Sequence, residues 1–293
     1  MTRAGFVALA GRPNVGKSTF LNAVVGGKVA IVSDRPQTTR RAIRGVVLSG
    51  DTQLVLVDLP GVQRPQDALT ARMASRVQQE LAGSDAALLI LNGEQGVVPG
   101  DRFIARSLAA GAIPVTIAVN KLDRLRRPGL LEVLAEVEKL DLDAEVYPIS
   151  ARTGAGVRAL VEHLAASMPE GPFLFSAEAR SDQPREQLIA ELIREAAIRR
   201  TFKEVPHAVE VVVEEVEEPR GGLTRVRALV WVESESQKAI LIGAGGRMIK
   251  AIGTAARREL ERELGCRVFL DLAVRVRRGW RADDALLDRI GIT

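Results

Sequence analysis

The sequence predicts an α/β domain built on a mostly parallel sheet, followed by a smaller α+β domain. Three observations carry this expectation. Between residues 5 and 165, short runs rich in Val, Ile, Leu and Ala alternate with helical patterns, and strand–helix alternation places helices on both faces of a parallel sheet. Met168-Pro-Glu-Gly-Pro172 cannot continue a helix, and the polar stretch that follows to Gln183-Pro184 reads as a linker. Beyond it the order becomes α-β-β-α-α-β, a small sheet with helices packed on it. The expected boundaries are 1–172 for the first domain, 173–184 for the linker and 185–293 for the second domain.

The first-domain strands are expected at Phe6–Ala10, Leu54–Asp58, Ala86–Leu91, Val115–Asn120 and Ala144–Ile149, each apolar enough to be buried on both faces. Helices are expected at Thr19–Val25, Ala68–Leu81, Arg102–Ala110, Leu130–Leu140 and Val157–Ser167. Arg41–Leu48, closed by Ser49-Gly50-Asp51, reads as a strand and turn feeding an antiparallel neighbour at the sheet edge. In the second domain Arg185–Thr201 is helical. Ala208–Glu217 and Thr224–Val232 are strands joined by Pro219-Arg-Gly-Gly222, and a helix begins near Gln237. Gly265-Cys266 ends a further helix, and Arg267–Val276 is the last strand.

Composition narrows the classes. With 293 residues, 46% apolar and 27% charged, the chain is neither disordered nor collagen-like. Its single cysteine, Cys266, can form no internal disulfide, which points to a reducing, cytoplasmic setting. The longest apolar runs fall far short of the ~20 residues of a bilayer span. Arg3 followed by Phe6–Ala10 imitates a signal peptide, but the run is too short and leads straight into a glycine loop. The net charge is only +4, yet its distribution is uneven. Residues 204–218 hold six acids, whereas Gly243–Arg281 holds ten bases against four acids, an excess of six that could track a polyanion. Aromatics at 3% argue against stacking bases on a Phe- and Tyr-rich sheet.

Gly11-Arg-Pro-Asn-Val-Gly-Lys17-Ser18 fits G-x-x-x-x-G-K-[ST] between an expected strand and an expected helix, the context that gives the motif its meaning. Its glycines let backbone N–H groups turn around phosphate oxygens at a helix N-terminus. Lys17 reaches the β- and γ-phosphates, and Ser18 ligates magnesium. The phosphate loop therefore comprises Gly11, Arg12, Pro13, Asn14, Val15, Gly16, Lys17, Ser18 and Thr19. Asp58-Leu-Pro-Gly61 ends a strand, so Asp58 can hold magnesium through water and the Gly61 N–H can meet the γ-phosphate. Asn120-Lys121-Leu-Asp123 ends another. A carboxylate at Asp123 accepts two hydrogen bonds from guanine that adenine does not offer, and a buried carboxylate left unpaired rejects the wrong base. The Lys121 stem covers a face of the base. Ser150-Ala151-Arg152 follows the last strand, where a backbone N–H can bond guanine O6. Four stations in order, each at the carboxyl end of a strand where such sheets bind ligands, make GTP the nucleotide.

The second domain carries Gly243-Ala244-Gly245-Gly246, a G-x-x-G flanked by helical segments. Ile242 before it and Ile249 and Ile252 after it are expected to form an apolar face beside the glycines, with Arg247, Lys250 and Arg257 adding charge. A glycine loop between helices lets a nucleic-acid backbone approach, and an adjacent apolar groove holds about four bases without aromatic stacking. His163, His207 and Trp280 read as surface or packing residues.

The stations resemble the five motifs of the Ras-like GTPases. With Gln37-Thr38-Thr39-Arg40 they are similar to the Era/TrmE/Der group of bacterial, translation-associated GTPases. The resemblance implies that Thr39 meets magnesium once the γ-phosphate is present, with Thr38 the fallback if the loop registers differently. It implies switch regions at Ser33–Arg41 and from Val62 to about Glu80. Lys17, Thr39, Gly61 and Asn14 would be the catalytic residues. Ras-like enzymes place a water-orienting Gln after Asp-x-x-Gly. Here Val62 stands there, and the resemblance implies a potassium ion at Asn14 instead. Leu59 replaces the usual Thr of Asp-Thr-Pro-Gly, with no role assigned to either side chain.

The C-terminal segment resembles a type II KH domain. A P-loop GTPase domain joined to a single such domain is the layout of the Era family, and the resemblance spans nearly the whole chain. It implies a monomeric GTPase that binds near the 3′ end of 16S rRNA, acts in assembly of the small (30S) ribosomal subunit, and associates peripherally with the inner membrane. The other reading open at this point is a GTP-dependent interaction protein whose basic C-terminal domain binds a protein or an anionic membrane surface.

Overall fold

A computed structural model describes residues 1–33, 35, 38–61, 66–220 and 222–292. Its contacts divide the chain into two units. The first comprises Met1–Ala30, Thr39–Pro65 and Thr70–Asp182; the second comprises Ile31–Thr38, Gln66–Leu69 and Gln183–Thr293.

The first unit is organised by strands that expose no polar face. β1 (Arg3–Ala10), β3 (Thr52–Asp58), β4 (Ala86–Asn92) and β5 (Val115–Asn120) bury nearly every side chain. That is the signature of a sheet covered by helices on both sides. The strand order is β2-β3-β1-β4-β5-β6, with β2 (Ile43–Ser49) antiparallel to β3 at one edge and β6 (Val146–Pro148) parallel to β5 at the other. Helices α1 (Lys17–Val25), α2 (Ala68–Ala82), α3 (Pro99–Ala109), α4 (Arg127–Glu138) and α5 (Val157–Ala166) connect them. The α/β class and the antiparallel edge agree with the sequence reading. α3 and α4 start three residues earlier than expected, because Pro99 and Pro128 sit in their first turns, where a missing N–H costs nothing. β6 is shorter than Ala144–Ile149, as an edge strand has one neighbour to hold it.

Leu9, Phe20, Leu54, Leu56, Leu88 and Leu160 are fully buried in the core on one side of this sheet. Leu89, Leu91, Ile104 and Val119 belong to the core on the other. Each such side chain contributes about 1.5–3 kcal/mol on burial, so the sheet holds its carboxyl ends rigidly.

The second unit has a three-stranded sheet in the order β7-β8-β9. β7 (Glu210–Arg220) and β8 (Leu223–Val232) are antiparallel; β9 (Arg267–Val276) runs parallel to β8 and forms an edge. α6 (Arg185–Ile198), α8 (Glu235–Ile242) and α9 (Arg247–Leu264) cover one face, with Ile193, Val230, Leu241, Ala256 and Leu260 in the core. Two short helices, α7 (Val205–Ala208) and α10 (Asp284–Arg289), escaped the sequence reading because neither is long enough to show a period. Trp280 is a packing anchor: it is fully buried, and its Nε1–H donates to the Ala208 carbonyl at 3.0 Å.

Of the two segments drawn from the first part of the sequence, Ile31–Thr38 is held in the second unit by hydrogen bonds and Gln66–Leu69 by an ion pair of Asp67 with Arg281 at 2.6 Å. The Val32 N–H donates to the Glu195 carboxylate, and the Thr38 carbonyl accepts from the buried Arg194 guanidinium, itself paired with Glu191 at 2.5 Å. A reading by contiguous domains cannot foresee this exchange. Among the described residues no single helix is long and apolar enough to cross a membrane.

Candidate functional site

The phosphate loop joins the carboxyl end of β1 to α1. Gly16 caps that helix at φ 105°, where a side chain is strained, and a Cβ there would lie 2.2 Å from Asn120 Nδ2. Only glycine fits. Lys17 is buried, and its Nζ donates to the Gly11 carbonyl at 3.0 Å and the Arg12 carbonyl at 3.1 Å. Burial pushes its pKa down, opposed by the charge of Asp58. The ammonium is thus gathered into the loop, ready to exchange carbonyls for phosphate oxygens. Val15 is buried under the loop, while the Arg12 side chain turns away to pair with Asp101 at 2.8 Å. Asn14 is exposed with φ 65°. Pro13 packs against Gly61, where a Cβ would meet its Cγ at 2.7 Å. Thr19 lies in the first turn of α1.

Three oxygen donors converge beside the loop. Ser18 Oγ donates to Asp58 Oδ2 at 2.5 Å, Thr39 Oγ1 donates to the same oxygen at 3.3 Å, and the two hydroxyls are 3.3 Å apart. Asp58 is fully buried, and its Oδ1 has no hydrogen-bond partner. Burial pushes the Asp58 pKa up, opposed by Lys17 and by the two hydroxyls. A buried carboxylate oxygen without a partner is costly, and an all-oxygen set is what magnesium prefers. The residues fit the ion. The structure also separates the two threonines: Thr39 points into this cluster, whereas Thr38 Oγ1 donates to the Arg35 carbonyl at 2.6 Å. Gln37 and Val62 lie outside the described residues, as do parts of both expected switch regions.

The base-reading stations meet at the ends of β5 and β6. Asn120 is buried, and both ends of its carboxamide are engaged. Its Nδ2–H donates to the Val15 carbonyl at 2.9 Å, and its Oδ1 accepts from the Lys121 N–H at 2.8 Å and the Ala151 N–H at 2.9 Å. It ties three loops together. Asp123 accepts from Ser150 Oγ at 2.6 Å and pairs with Arg152 at 3.3 Å. The Ser150 hydrogen bond chiefly, with help from Arg152, holds its pKa below the usual carboxylate range against desolvation. The Ser150 N–H donates to the Ala155 carbonyl at 2.8 Å and the Ala151 N–H to Asn120 Oδ1 at 2.9 Å, so a bond from Ala151 to guanine O6 requires that N–H to turn from Asn120 to the base.

In the second unit the helix α8 ends at Ile242, and Gly243–Gly246 turn the chain into α9. Gly243 has φ 70°, and a Cβ on it would stand 2.8 Å from that of Met248, so the turn demands glycine. Gly245 and Gly246 have open space where a side chain would be, and Ala244 is exposed beside them. A groove of about 380 Å³ runs beside α9, lined by Ile249, Lys250, Gly253 and Arg257 from the helix and by Phe269 and Asp271 from β9. Ile242 and Ile249 are half-buried. Ile252 departs from expectation: it lies on the same side of α9 as Ile249, but it is fully buried in the core and supports the groove without lining it. Arg247 does not line this groove. Phe269, 56% exposed, does line it, a residue the low aromatic count had hidden; its place on an edge strand beside α9 is visible only in the fold.

A glycine-rich anion loop, a magnesium-type oxygen cluster and a guanine-type carboxylate on one sheet define a P-loop GTPase. Behind it stands a G-x-x-G helix pair on a three-stranded sheet. A family model described as a 50S ribosome-binding GTPase matches residues 6–121, and a KH-domain model matches residues 204–281. The chain is 45% identical to GTPase Era of Mycobacterium avium over 99% of its length and 98% of that protein's. It is 44% identical to GTPase Era of Mycobacterium tuberculosis over 98% of each. Among solved structures it is similar to an Era in complex with MgGDPNP and nucleotides 1506–1542 of 16S ribosomal RNA (TM-score 0.95, 33% identity, all of both chains covered). It is equally similar to an alanine variant of Aquifex aeolicus Era bound to GDP·AlF4⁻ (TM-score 0.95, 34% identity, all of both chains). The chain belongs to the Era family and is a GTPase.

Proposed function

We propose that this chain is a GTP-hydrolysing switch that binds the 3′ region of 16S rRNA through its KH domain and acts in assembly of the 30S subunit in the cytoplasm. The observation that carries the reading is the full-length likeness to an Era solved with both a GTP analogue and 16S nucleotides. The alternative suggested by the description of the matching G-domain model, a large-subunit partner, rests on residues 6–121 alone.

In this reading Lys17 and the loop N–H groups from Asn14 to Ser18 hold the β- and γ-phosphates, and the Gly61 N–H meets the γ-phosphate. Ser18, Thr39 and Asp58 would hold magnesium, which when bound neutralises phosphate charge. Water adds to the γ-phosphorus as its bond to the β–γ bridging oxygen breaks, releasing GDP and phosphate. Asp123 selects guanine, with Asn120 and Ser150 positioning it and Lys121 covering the base. Asp58→Asn is expected to abolish the magnesium-dependent rise in unfolding temperature of the GDP-bound protein. In the parent that rise corresponds to about 2.7 kcal/mol at a hundredfold excess over Kd. An undiminished rise in the variant would remove Asp58 from the metal site.

The apolar Val62 cannot hydrogen-bond a water, and Asn14 is an exposed residue of the phosphate loop. Asn14 is therefore proposed to hold a potassium ion. Replacing sodium by potassium should raise the hydrolysis rate in the parent and not in Asn14→Ala; equal rates in the two salts, or a response that survives in the variant, would refute the assignment.

The RNA reading is tested by crosslinking the protein to cellular RNA, loaded with a non-hydrolysable GTP analogue or with GDP, and sequencing the fragments. Fragments are expected to concentrate at the 3′ end of the small-subunit RNA. Gly245→Asp, which puts charge and bulk where the loop is open, is expected to lose at least about tenfold in yield. Scattered fragments indifferent to Gly245→Asp would favour a diffuse basic surface suited to an anionic membrane.

A further inference from the structure

The RNA groove occupies only one flank of α9. On its other flank lies a second groove of about 420 Å³, and its lining carries four cations and no acid: Arg200, just beyond α6, with Arg247, Lys250 and Arg258 of α9. The spacing Arg247, Ala251, Ala255, Arg258 follows one stripe of the helix, whereas Ile249, Gly253 and Arg257 face the first groove.

The charges distinguish this flank from the rest of the helix. Arg257 pairs with Glu261, and Arg262 pairs with Glu259 and Glu263. Among the described residues, none of the four cations around the second groove has a carboxylate partner. Arg200 and Arg247 donate only to the backbone carbonyls of Ala196 and Ala244. Four positive charges without carboxylate partners on a concave surface attract anions, and above all a chain of closely spaced phosphates.

No aromatic side chain lines this groove, so bases have nothing to stack on. Its floor is Ala251 and Ala255, small enough to let a sugar-phosphate chain approach closely. Lys250 and Thr254 line both grooves, so the two are continuous across a single crest of α9.

We infer that the Arg200–Arg258 groove binds the phosphate backbone of the same RNA, outside the bases read in the first groove and without regard to sequence. The inference rests on the RNA reading above. A KH groove accounts for about four nucleotides, and the RNA proposed for this chain is far longer. The second groove would supply affinity and direction to the flanking strand, while the first supplies selectivity.

The test uses the full chain and two fluorescent RNAs from the 3′ region of 16S rRNA. One, of about six nucleotides, fills the first groove; the other, of about 24, has the same six at its centre. For the double variant Arg200→Glu/Arg258→Glu, affinity for the longer RNA should fall at least about tenfold. The slope of log K against log salt should drop by about 1.4, the value of two single-strand phosphate contacts. Affinity for the short RNA should stay within twofold. The milder pair Arg200→Gln/Arg258→Gln should move the same way by less, and it decides the matter if charge reversal prevents folding. Equal losses on both RNAs, or no loss on the longer one, would overturn the inference and leave the RNA reading standing. Unchanged RNA binding with lost binding to phosphatidylglycerol vesicles would overturn it in favour of a membrane surface. A parent protein that binds neither RNA would overturn the RNA reading itself, and this inference with it.

Discussion

Lys17→Ala is expected to lower GTP hydrolysis about 10³-fold and nucleotide affinity about 10²-fold. The side chain is buried in the loop, and the Gly11 and Arg12 carbonyls hold its ammonium at 3.0 and 3.1 Å. A phosphate that enters the loop takes over a charged donor already desolvated and aimed. Hydrogen bonds to charged groups contribute about 1.5–3 kcal/mol, and removing one preorganised donor from developing charge costs about 10²–10³ in rate. Alanine is well suited to the first position of α1, so the fold should survive, as thermal unfolding of the nucleotide-free protein will check. Lys17→Arg should rescue little, because a planar fork does not fit a loop shaped around a compact ammonium. Single-turnover hydrolysis and equilibrium binding of a fluorescent guanine nucleotide separate the two effects. A Lys17→Ala protein within tenfold of the parent in rate would exclude the side chain from the phosphate role.

Asp123→Asn is expected to exchange the nucleotide. The carboxylate is held ionised by Ser150 and Arg152, a state in which it accepts from guanine's N1–H and exocyclic amine. Asparagine keeps one acceptor and gains a donor, so it faces the guanine amine with the wrong group and suits the 2-carbonyl of xanthine. The mismatch costs about 3 kcal/mol or more, roughly a 10²-fold loss of GTP affinity, with a comparable gain for xanthosine triphosphate. Competition binding with GTP, ATP and xanthosine triphosphate reads this directly. Equal loss for all three nucleotides would mean that Asp123 braces the Ser150 loop and does not read the base. Asn120 offers the contrast: its carboxamide bonds Val15, Lys121 and Ala151, so replacing it should loosen the site toward every nucleotide.

The phosphate loop was legible because its chemistry is local. Eight consecutive residues between a strand and a helix hold every group needed to cradle a phosphate, and the apolar runs around them announce the sheet. Other points were not local. Thr38 and Thr39 are neighbours of the same type, and only the path of the backbone decides which hydroxyl meets Ser18 and Asp58. Ala151 has an N–H that sequence reasoning offers to guanine, and only the fold shows that it is shared with a buried oxygen of Asn120, 31 positions away. Ile252 reads as part of the apolar face beside the glycines until the packing of α9 on the sheet places it in the core. Phe269 reads as an ordinary strand residue until β9 is seen to be an edge beside that helix.

The sequence by itself determined the two-domain order, the nucleotide and the class of reaction, since these follow from motifs whose residues act within a few positions of one another and from periodicities set by the backbone. Tertiary structure alone decided which donors are free, which apolar residues line a groove and which support it, and that a second cluster of cations gathers Arg200 with Arg247, Lys250 and Arg258 from far along the chain. The reason is physical: burial and hydrogen-bond pairing depend on distances between elements, and a distance between elements is a property of packing that no local pattern encodes.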